Sequence, residues 1–366
     1  RRPDAIAVVD GERRLPYGEL WTRICAVAGF LRDAGVSAGD RVALLMENSI
    51  DYVIAYYAVQ VAGGACVALN TASKARDIVN WARHSDAKLL LADAQHPELA
   101  AVRSAIAREL PIVAVGESVN GAGTINWSTA LAAAELAFDP SAVDAAGLAS
   151  IIYTSGTTGH PKGVCLSHRN LCSNVQSILD YLHLSADDSI VNVLPFFYSY
   201  GNSILHTHLA AGARLVLEKS MLYPVQVLKR MADERVSGFS GVPSTYSILL
   251  NRVDMNQYDL SSLRYMTQAG GPMAPADIQR LTSTLPNVRF FVMYGQTEAS
   301  ARLTYLPPER LFDKLGSIGI AIPGVRIEVR DSAGSATPVG QHGELCARGD
   351  NIMQGYWKDP AMSHSV

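Results

Sequence analysis

Residues 153–163 constrain what this chain can fold into more than any other segment. They are Tyr-Thr-Ser-Gly-Thr-Thr-Gly-His-Pro-Lys-Gly, so four hydroxyl side chains and two glycines precede Lys162. Apolar runs at 147–153 and 164–166 flank them, and both predict buried strands. Small residues let backbone N–H groups approach an anion, while the hydroxyls add donors and the lysine adds positive charge. The segment therefore predicts a polyphosphate-binding loop between two strands.

The spacing of this loop differs from that of the common Walker A nucleotide loop. A Walker A loop places four residues between its glycines and then continues Lys-Ser/Thr. Here the glycines are three apart, Lys162 is followed by Gly163, and Pro161 has no backbone N–H. A surface turn rich in Ser, Thr and Gly is the structural alternative. Because these residues are concentrated between two apolar runs and end in a lysine, phosphate binding is favoured.

Composition narrows the class of protein. The chain has 366 residues, enough for one large subdivided domain or two domains, and 18% charged against 48% hydrophobic residues is typical of a well-packed α/β protein. A net charge of −3 gives no reason to expect nucleic acid, and no apolar run is long enough for a membrane span. The five cysteines contain no Cys-x-x-Cys pair, and no signal peptide opens the chain. We therefore expect no disulfide framework, no zinc site and a cytoplasmic location.

Short apolar runs alternate with segments of helical periodicity along most of the chain. Residues 20–34 have helical spacing and end at Gly35, residues 41–46 indicate a buried strand, and residues 52–62 indicate an internal helix. This order predicts an α/β fold with two helix-flanked, largely parallel β-sheet subdomains over about residues 1–323. From Gly324 the apolar residues alternate strictly among turn signals. That pattern predicts a smaller β-barrel-like subdomain over about residues 324–357.

Two short segments that are 22 residues apart add to the chemistry of the loop. Gly270 and Gly271, before a proline, expose backbone against which a flat ring can lie, and Tyr294 offers a face that can stack on it. Thr297 supplies a hydroxyl donor, and Glu298 supplies a hard carboxylate oxygen that suits Mg²⁺. Taken alone, the first segment is more typical of a turn than of a binding site, and the second is as typical of a helix start as of a binding site. Together with the phosphate loop, they predict a site for ATP with Mg²⁺.

These motifs resemble those of the adenylate-forming superfamily, which contains acyl- and aryl-CoA synthetases, luciferases and peptide-synthetase adenylation domains. Residues 153–163 look like its signature loop, and residues 294–298 resemble its aromatic-Gly-x-Thr-Glu motif. Residues 343–349 and 355–357 resemble its Gly-Glu-Leu…Gly-Tyr block, and residues 15–20 and 62–70 are similar to its amino-terminal motifs. The resemblance spans nearly the whole chain and indicates the large N-terminal domain of an AMP-forming ligase of the acyl- or aryl-CoA synthetase kind.

The resemblance implies a role for each matching residue. The β- and γ-phosphates of ATP would be held by Thr154, Ser155, Gly156, Thr157, Thr158, Gly159 and Lys162. The adenine would lie along Gly270, Gly271 and Pro272, with Tyr294 stacked on it and Gly295 and Gln296 completing the motif. Thr297 would contact the α-phosphate and Glu298 would hold Mg²⁺, so the candidate catalytic residues are Lys162, Thr297 and Glu298. The implied reaction is attack of a carboxylate on the α-phosphorus, which gives acyl-AMP and pyrophosphate.

The acid-binding pocket is expected near residues 194–202. Many acyl- and aryl-CoA synthetases have a histidine where this chain has Tyr198, and amino-acid-activating relatives usually have an aspartate in this region. No acid lies between Leu194 and Leu217, so the ammonium of an amino acid would be buried unpaired at high cost. Polar side chains near this point indicate a substrate with a polar substituent: Tyr198, Tyr200, Asn202, Ser203 and Gln268. By resemblance the pocket is lined by Tyr198, Gly201, Asn202, Val242, Tyr246, Gln268 and Ala269.

The sequence lacks two further features of the superfamily: a Thr-Gly-Asp motif and a small C-terminal domain that supplies a lysine. We therefore expect residues 1–366 to form the large ATP- and acid-binding domain without the small C-terminal catalytic domain, and to be weakly active alone. The expected function is ATP-dependent activation of a fatty, hydroxy or aryl acid for transfer to CoA or to the phosphopantetheine of an acyl carrier protein. The alternatives are an amino-acid adenylation domain of a peptide synthetase and a non-catalytic homologue that binds nucleotide or acyl-adenylate.

Overall fold

The structure is a computed structural model that describes residues 2–116, 124–154 and 162–366. Its strands are β1 (Ile6–Asp10), β2 (Arg13–Pro16), β3 (Arg41–Leu45), β4 (Ala65–Ala68), β5 (Ala87–Asp93), β6 (Ile112–Val115), β7 (Thr124–Asn126), β8 (Leu148–Thr154), β9 (Lys162–Ser167), β10 (Ser189–Asn192), β11 (Arg214–Leu217), β12 (Gly238–Gly241), β13 (Tyr265–Gln268), β14 (Arg289–Tyr294), β15 (Thr304–Leu306), β16 (Ile320–Ala321), β17 (Val325–Arg330), β18 (Glu344–Gly349) and β19 (Gly355–Tyr356). Its α-helices are α1 (Tyr17–Asp33), α2 (Ile50–Val61), α3 (Ala75–His84), α4 (Leu99–Ile106), α5 (Trp127–Leu131), α6 (His168–Leu182), α7 (Ser199–Ala211), α8 (Pro224–Asp233), α9 (Pro243–Arg252), α10 (Pro275–Thr284) and α11 (Pro360–Ser363). Short 3₁₀ turns lie at Pro140–Ala142, Met255–Gln257, Thr297–Ala299 and Pro308–Arg310. Across these described ranges, no helix combines the length and the apolar character that crossing a bilayer would require.

Nine strands form the larger sheet, in the order β16-β15-β14-β13-β12-β10-β11-β1-β2. The pairs from β14 to β1 are parallel. The strands at the two edges pair antiparallel. Because β10, β12, β13 and β14 run in the same direction, their carboxyl ends lie at one edge of the sheet.

Eight strands form the second sheet, in the order β19-β9-β8-β4-β3-β5-β6-β7. The pairs from β8 to β7 are parallel, whereas β9 and β19 are antiparallel to their neighbours. The predicted fold class is therefore confirmed, with two largely parallel sheets covered by helices. In the β-rich segment 324–357, β17 and β18 form a small antiparallel sheet and β19 joins the eight-stranded sheet. Along both strands of the small sheet the residues are half-buried or exposed, and none is fully buried.

Helices fill the space between the two sheets and join them. Helix α2 contacts β3 and β4 of one sheet and β1 of the other, while α6 lies on β8 and β9 and packs against α7, which lies on β10 and β11. One cluster of buried side chains includes residues from both sheets, such as Val8, Val42 and Val191. This shared core explains why residues 52–62 are apolar nearly all round, since eight residues of α2 are buried and none is fully exposed.

The sequence also accounts for where helices begin and end. The Ser167 hydroxyl accepts a hydrogen bond from the Asn170 N–H at 3.1 Å, and the Asn170 side chain accepts from the Ser167 N–H at 2.8 Å. This reciprocal pair fixes the start of α6 directly after β9. Helix α1 ends just before Gly35, whose φ of +88° lies in the left-handed region that glycine adopts without strain.

The buried histidines of α7 predict that the fold loses stability in mild acid. Burial lowers the pKa of His206 and of His208 to about 4, whereas an unfolded histidine has a pKa of about 6.5. Below pH 6.5 the two histidines of the unfolded chain become protonated, whereas those of the native state stay neutral. The unfolding free energy that they contribute above pH 6.5 is therefore lost as the pH falls towards 4. A pKa difference of about 2.5 corresponds to roughly 3 kcal/mol for each histidine.

We expect His208→Gln to make this decline shallower, even if the variant is less stable at pH 7.5. Chemical denaturation at several pH values between 4 and 8 measures the slope. The exposed His342→Gln variant serves as the control and should show the same slope as the wild type. If unfolding free energy falls with pH as steeply in His208→Gln as in the wild type, burial of His208 is not the cause of the decline.

Candidate active site

Many of the predicted site residues lie at one edge of the nine-stranded sheet. Neighbouring strands β10, β12, β13 and β14 are followed along the chain by Tyr198, Val242, Gly270 and Thr297, respectively. In open α/β sheets, ligands bind in the crevice outside the carboxyl ends of the strands. The topology therefore collects segments that are separated in sequence by up to about 100 residues into one crevice.

Gly270 and Tyr294 lie at the ends of the neighbouring strands β13 and β14. Gln268, the last residue of β13, lies opposite Val292, and Gly270 and Tyr294 are each two residues further along the chain. Gly270 has a φ of +86°, and a Cβ on it would lie 3.1 Å from the Val242 side chain, so this position favours glycine. Residues 270–272 are exposed and Tyr294 is half-buried. The result is an open strip of backbone next to an aromatic ring, a surface that suits a flat ligand.

The loop after β14 is tightly folded. A Cβ on Gly295 would lie 1.8 Å from the Ala301 carbonyl oxygen, so the two ends of the loop touch. Thr297–Ala299 form a 3₁₀ turn, after which Ser300 has a φ of +61° and Ala301 a φ of +142°. Non-glycine residues adopt such values at a cost of order 1–3 kcal/mol each, and only where the surroundings hold them.

Asn351, a fully buried side chain after β18, supplies much of that restraint. Its amide nitrogen donates to the carbonyls of Ala299 at 3.2 Å and Arg302 at 2.9 Å. The Ser300 hydroxyl in turn donates to the Asn351 carbonyl at 2.7 Å. These hydrogen bonds fix the loop that contains Thr297 and Glu298, the last two residues of the predicted nucleotide motif.

Lys162 and Glu298 come together around Tyr356. The Tyr356 hydroxyl donates to Glu298 Oε1 at 2.8 Å, and the Lys162 ammonium lies 5.8 Å from the centre of the Tyr356 ring. Burial and this hydrogen bond raise the pKa of Tyr356 to about 12, so its hydroxyl stays protonated and remains a donor. Lys162 itself lies opposite Thr154 in the β8–β9 pair. A lysine of the eight-stranded sheet and a carboxylate that follows β14 of the nine-stranded sheet thus contact the same tyrosine.

The remaining predicted phosphate-loop residues, Ser155, Gly156, Thr157, Thr158 and Gly159, lie outside the described residues. Strands β8 and β9 on either side are present as the apolar runs predicted, and they pair antiparallel up to Thr154 and Lys162. A Cβ on Gly163 would lie 2.9 Å from the Ile151 side chain and 3.2 Å from Trp357. Gly163 therefore allows β9 to approach both neighbours closely, next to the lysine.

The predicted pocket residues occupy two different environments. Tyr198 is half exposed, and its hydroxyl accepts a long hydrogen bond of 3.4 Å from Asn70. Asn202 is buried, and its side-chain oxygen accepts from the His206 ring at 2.9 Å. Gly201 packs on backbone, since a Cβ there would lie 2.1 Å from the Pro195 carbonyl. Asn202 and Gly201 therefore face the interior beneath the start of α7, while Tyr198 remains at the surface.

The other pocket residues surround the end of β13. Gln268 is fully buried; its amide nitrogen donates to the Gly271 carbonyl at 2.6 Å, and its oxygen has no partner among the described residues. The Tyr246 hydroxyl, also fully buried, donates to the Thr267 carbonyl at 2.6 Å. Val242 is half-buried against Gly270, and Ala269 is buried in a small apolar cluster. A buried, unpaired amide oxygen at Gln268 is a group that a bound ligand could satisfy.

Four residues that shape the site have no role that the sequence predicts: Asn48, Arg302, Asn351 and Tyr356. The Asn48 side chain donates to the Leu194 carbonyl at 2.8 Å and accepts from the Phe196 N–H at 2.9 Å, which ties the loop before Tyr198 to the other sheet. Only Tyr356 lay in a quoted motif, and nothing in that motif indicates its contact with Glu298. The other three act through contacts that are distant in sequence, so no local pattern marks them.

Comparison with known proteins identifies the family. The family described as AMP-binding enzyme matches residues 1–357. The chain belongs to this family. A feruloyl-CoA synthase from Amycolatopsis sp is 32% identical over 367 residues, which cover 100% of this chain and 71% of that protein. A 2-succinylbenzoate–CoA ligase from Bacillus licheniformis is 32% identical over 363 residues, which cover 98% of this chain and 70% of that protein.

Solved structures agree with this assignment. The crystal structure of apo MatB from Rhodopseudomonas palustris matches with a TM-score of 0.86 and 28% identity, covering 99% of this chain and 70% of that one. The family predicted from the motifs is therefore confirmed, and with it the superfamily to which AMP-forming CoA ligases belong.

The contacts of Asn351 predict the effect of removing them. Asn351→Ala leaves the Ala299 carbonyl without its donor, whereas the Arg302 carbonyl still accepts from the Asn174 side chain at 3.1 Å, so we expect a loss of roughly 1–3 kcal/mol in unfolding free energy. Hydrogen exchange should also rise selectively in the loop at 297–302. Ser300→Ala, which removes one hydrogen bond of the same loop, should cost about 1 kcal/mol. Equal and small effects of both changes on stability and exchange would show that Asn351 does not restrain the loop.

Proposed function

We propose that this chain activates a non-amino carboxylic acid with ATP, giving acyl-AMP and pyrophosphate, and that the acyl group then passes to CoA. The observation that carries the proposal is the meeting of Lys162 with Glu298 around Tyr356, beside Thr297. The positive charge of Lys162, the carboxylate of Glu298 and the hydroxyl of Thr297 would then lie at one end of the open strip at Gly270. The names of the related feruloyl-CoA synthase and 2-succinylbenzoate–CoA ligase support the same class of reaction.

The chain's work in this reaction would be positioning and charge stabilisation. A carboxylate is already a nucleophile, so no residue has to remove a proton from it. Its oxygen forms a bond to the α-phosphorus while the bond from that phosphorus to the pyrophosphate oxygen breaks. Negative charge then builds on the leaving pyrophosphate, where Lys162, Thr154 and the predicted loop donors would stabilise it. We assign the α-phosphate to the Thr297 hydroxyl.

The residues present fit a magnesium ion that is shared with the phosphates. Glu298 uses Oε1 for Tyr356, and its second oxygen has no hydrogen-bond partner among the described residues. Over the same residues, no group of three or more His, Cys, Asp or Glu side chains could hold a metal ion. A Mg²⁺ ion here would therefore take most of its ligands from phosphate oxygens, as is usual in nucleotide sites. When bound, it would supply charge neutralisation on the phosphates.

We place the adenine on the strip formed by Gly270, Gly271 and Pro272, against Tyr294. The acid then lies between the start of α7 and the end of β13, close to Gln268. Residues 194–217 contain no carboxylate, so the ammonium group of an amino acid would be unpaired there. This favours a non-amino acid over the substrate of a peptide-synthetase adenylation domain.

We favour CoA as the acceptor over a carrier protein, because both named relatives act with CoA. All five cysteines are free, and free thiols are typical of proteins in the reducing cytoplasm, which favours a cytoplasmic location.

Lys162→Ala tests whether the site performs this chemistry. Because one donor to the leaving group is lost, we expect acid-dependent exchange of pyrophosphate into ATP to fall by about 10²–10³-fold. The thermal unfolding midpoint should stay within about 3 °C, since Lys162 forms no ion pair with a described residue. Equilibrium binding of ATP, measured in parallel, should weaken in the variant.

The exposed Lys314→Ala variant is the matched control and should retain wild-type exchange. If Lys162→Ala binds ATP as the wild type does and exchanges pyrophosphate at the same rate, the proposed phosphate site is wrong. If the wild type binds ATP but exchanges with no acid, the chain is a nucleotide-binding homologue rather than a ligase.

A further inference from the structure

Arg302 is a buried cation that has no carboxylate partner among the described residues. Arg302 is 3% exposed, and its guanidinium carbon lies 4.2 Å from the centre of the Tyr200 ring. The hydrogen bonds of the guanidinium are long: 3.4 Å from Nη2 to the Ser203 hydroxyl and 3.5 Å from Nη1 to the Ala301 carbonyl. Its Nε–H has no partner in the described part of the chain.

The absence of an ion pair distinguishes Arg302 from the other buried charges. Asp188 pairs with Arg264 at 2.9 Å, and Glu234 pairs with Arg14 at 2.5 Å. No carboxylate among the described residues lies within ion-pair distance of Arg302. An arginine does not lose its proton at physiological pH, so its charge is buried as such.

The neighbours of the guanidinium are neutral. They include the Tyr200 ring, the Ser203 hydroxyl and the nearby Tyr181. Burial raises the pKa of Tyr181 to about 12 against the opposing effect of the Arg302 charge, so its hydroxyl is not an anion. The attraction between a cation and an aromatic face offsets only part of the cost of burying an unpaired charge. The described part of the chain therefore holds a positive charge that none of its residues balances.

This charge lies in the proposed acid-binding region. Arg302 ends the loop that contains Thr297, and the Thr297 hydroxyl donates to the Ser199 hydroxyl at 3.3 Å. The loop thus contacts α7 twice, at Ser199 through Thr297 and at Ser203 through Arg302. Residues four apart on a helix are separated by about 5–6 Å. The Tyr200 hydroxyl beneath Arg302 donates to the Thr267 carbonyl at 3.0 Å, one residue before Gln268.

We propose that Arg302 binds a second carboxylate on the acid that this site activates, so that the substrate is a dicarboxylic acid. The inference rests on the proposed function, which places the reacting carboxylate beside Thr297. The two carboxylates would lie about one helical turn apart, a span that suits an acid with a short chain between them. The planar guanidinium can hold a carboxylate through two parallel N–H bonds, with the free Nε–H as one donor.

Acid-dependent pyrophosphate exchange with matched substrates tests the inference. Succinate, glutarate and adipate are each compared with their half-amides, which have the same shape but lack the second charge. We expect the wild type to prefer one dicarboxylate over its half-amide by at least about 100-fold in kcat/KM. Arg302→Met should lose about 100-fold with that dicarboxylate and less than about 5-fold with the half-amide, so that the preference disappears. The exposed Arg348→Gln variant should retain it.

Thermal unfolding separates a ligand-binding arginine from one that only packs. Since Arg302→Met removes an unbalanced charge and keeps most of the side-chain volume, we expect an unfolding midpoint equal to or above that of the wild type. The preferred dicarboxylate should raise the midpoint of the wild type and leave that of Arg302→Met unchanged. A large drop in the midpoint of Arg302→Met, together with an unchanged substrate preference, would overturn the inference.

The outcomes distinguish this inference from the function on which it rests. If monocarboxylic acids or half-amides support exchange better than the dicarboxylates, the ligase function stands and the role of Arg302 is wrong. If a dicarboxylate binds by calorimetry only when Arg302 is present, yet no acid supports exchange, the anion site stands and the ligase function is wrong. If no dicarboxylate binds or supports exchange, the role of Arg302 is wrong.

Discussion

The hydrogen bond from the Tyr356 hydroxyl to the Glu298 carboxylate joins the two halves of the proposed site. Glu298 follows β14 of the nine-stranded sheet, whereas Tyr356 belongs to β19 and Lys162 to β9 of the eight-stranded sheet. β19 and β9 are paired directly, with Tyr356 opposite Val164. The position of the lysine relative to the carboxylate is thus set by strand pairing on one side. On the other side it is set by the Tyr356 contact, by the backbone hydrogen bond from the Met353 N–H to the Glu298 carbonyl at 2.8 Å and by the hydrogen bonds of Asn351.

The loop with Thr297 and Glu298 shows how the fold holds a strained segment where it is needed. Ser300 and Ala301 have positive φ angles that their side chains disfavour, although the Ala299 and Ser300 N–H groups donate to the carbonyls of Gln296 and Thr297 within the loop. Asn351 satisfies two of its carbonyls from outside. This segment ends at Arg302, whose charge no described residue balances. Backbone strain and an unbalanced charge in one loop are typical of a binding site, where a ligand provides the hydrogen-bond or charge partner that the protein does not.

The sequence was sufficient to predict the elements and the main motifs because these depend on local patterns. Helix α6 follows from Ser167 and its apolar spacing, the alternation in residues 325–330 gave β17, and the glycines at 270–271 marked a strip of open backbone. Two conclusions depended on topology instead. Nothing local shows that Tyr294 lies beside Gly270, or that Lys162 lies near Glu298; both follow from the order of strands in the sheets.

Arg302 illustrates why the rest could not be predicted. In the sequence it is one arginine in an otherwise uncharged run from Ala299 to Leu306, and whether such a residue points to water or to the interior depends on partners far along the chain. Asn351 and Tyr356 reach the site from about 50–60 residues away, so periodicity carries no information about them. Helix α7, whose residues 201–208 are all buried, has no polar face that would produce a helical pattern.

The most direct test of the account is the fate of oxygen from the acid. With both carboxylate oxygens labelled with ¹⁸O, and with CoA as the acceptor, attack on the α-phosphorus predicts that the AMP released carries one ¹⁸O atom. Mass spectrometry of the AMP reads this out for any acid that the chain uses. Label in inorganic phosphate, or unlabelled AMP formed together with the thioester, would contradict an acyl-adenylate at this site.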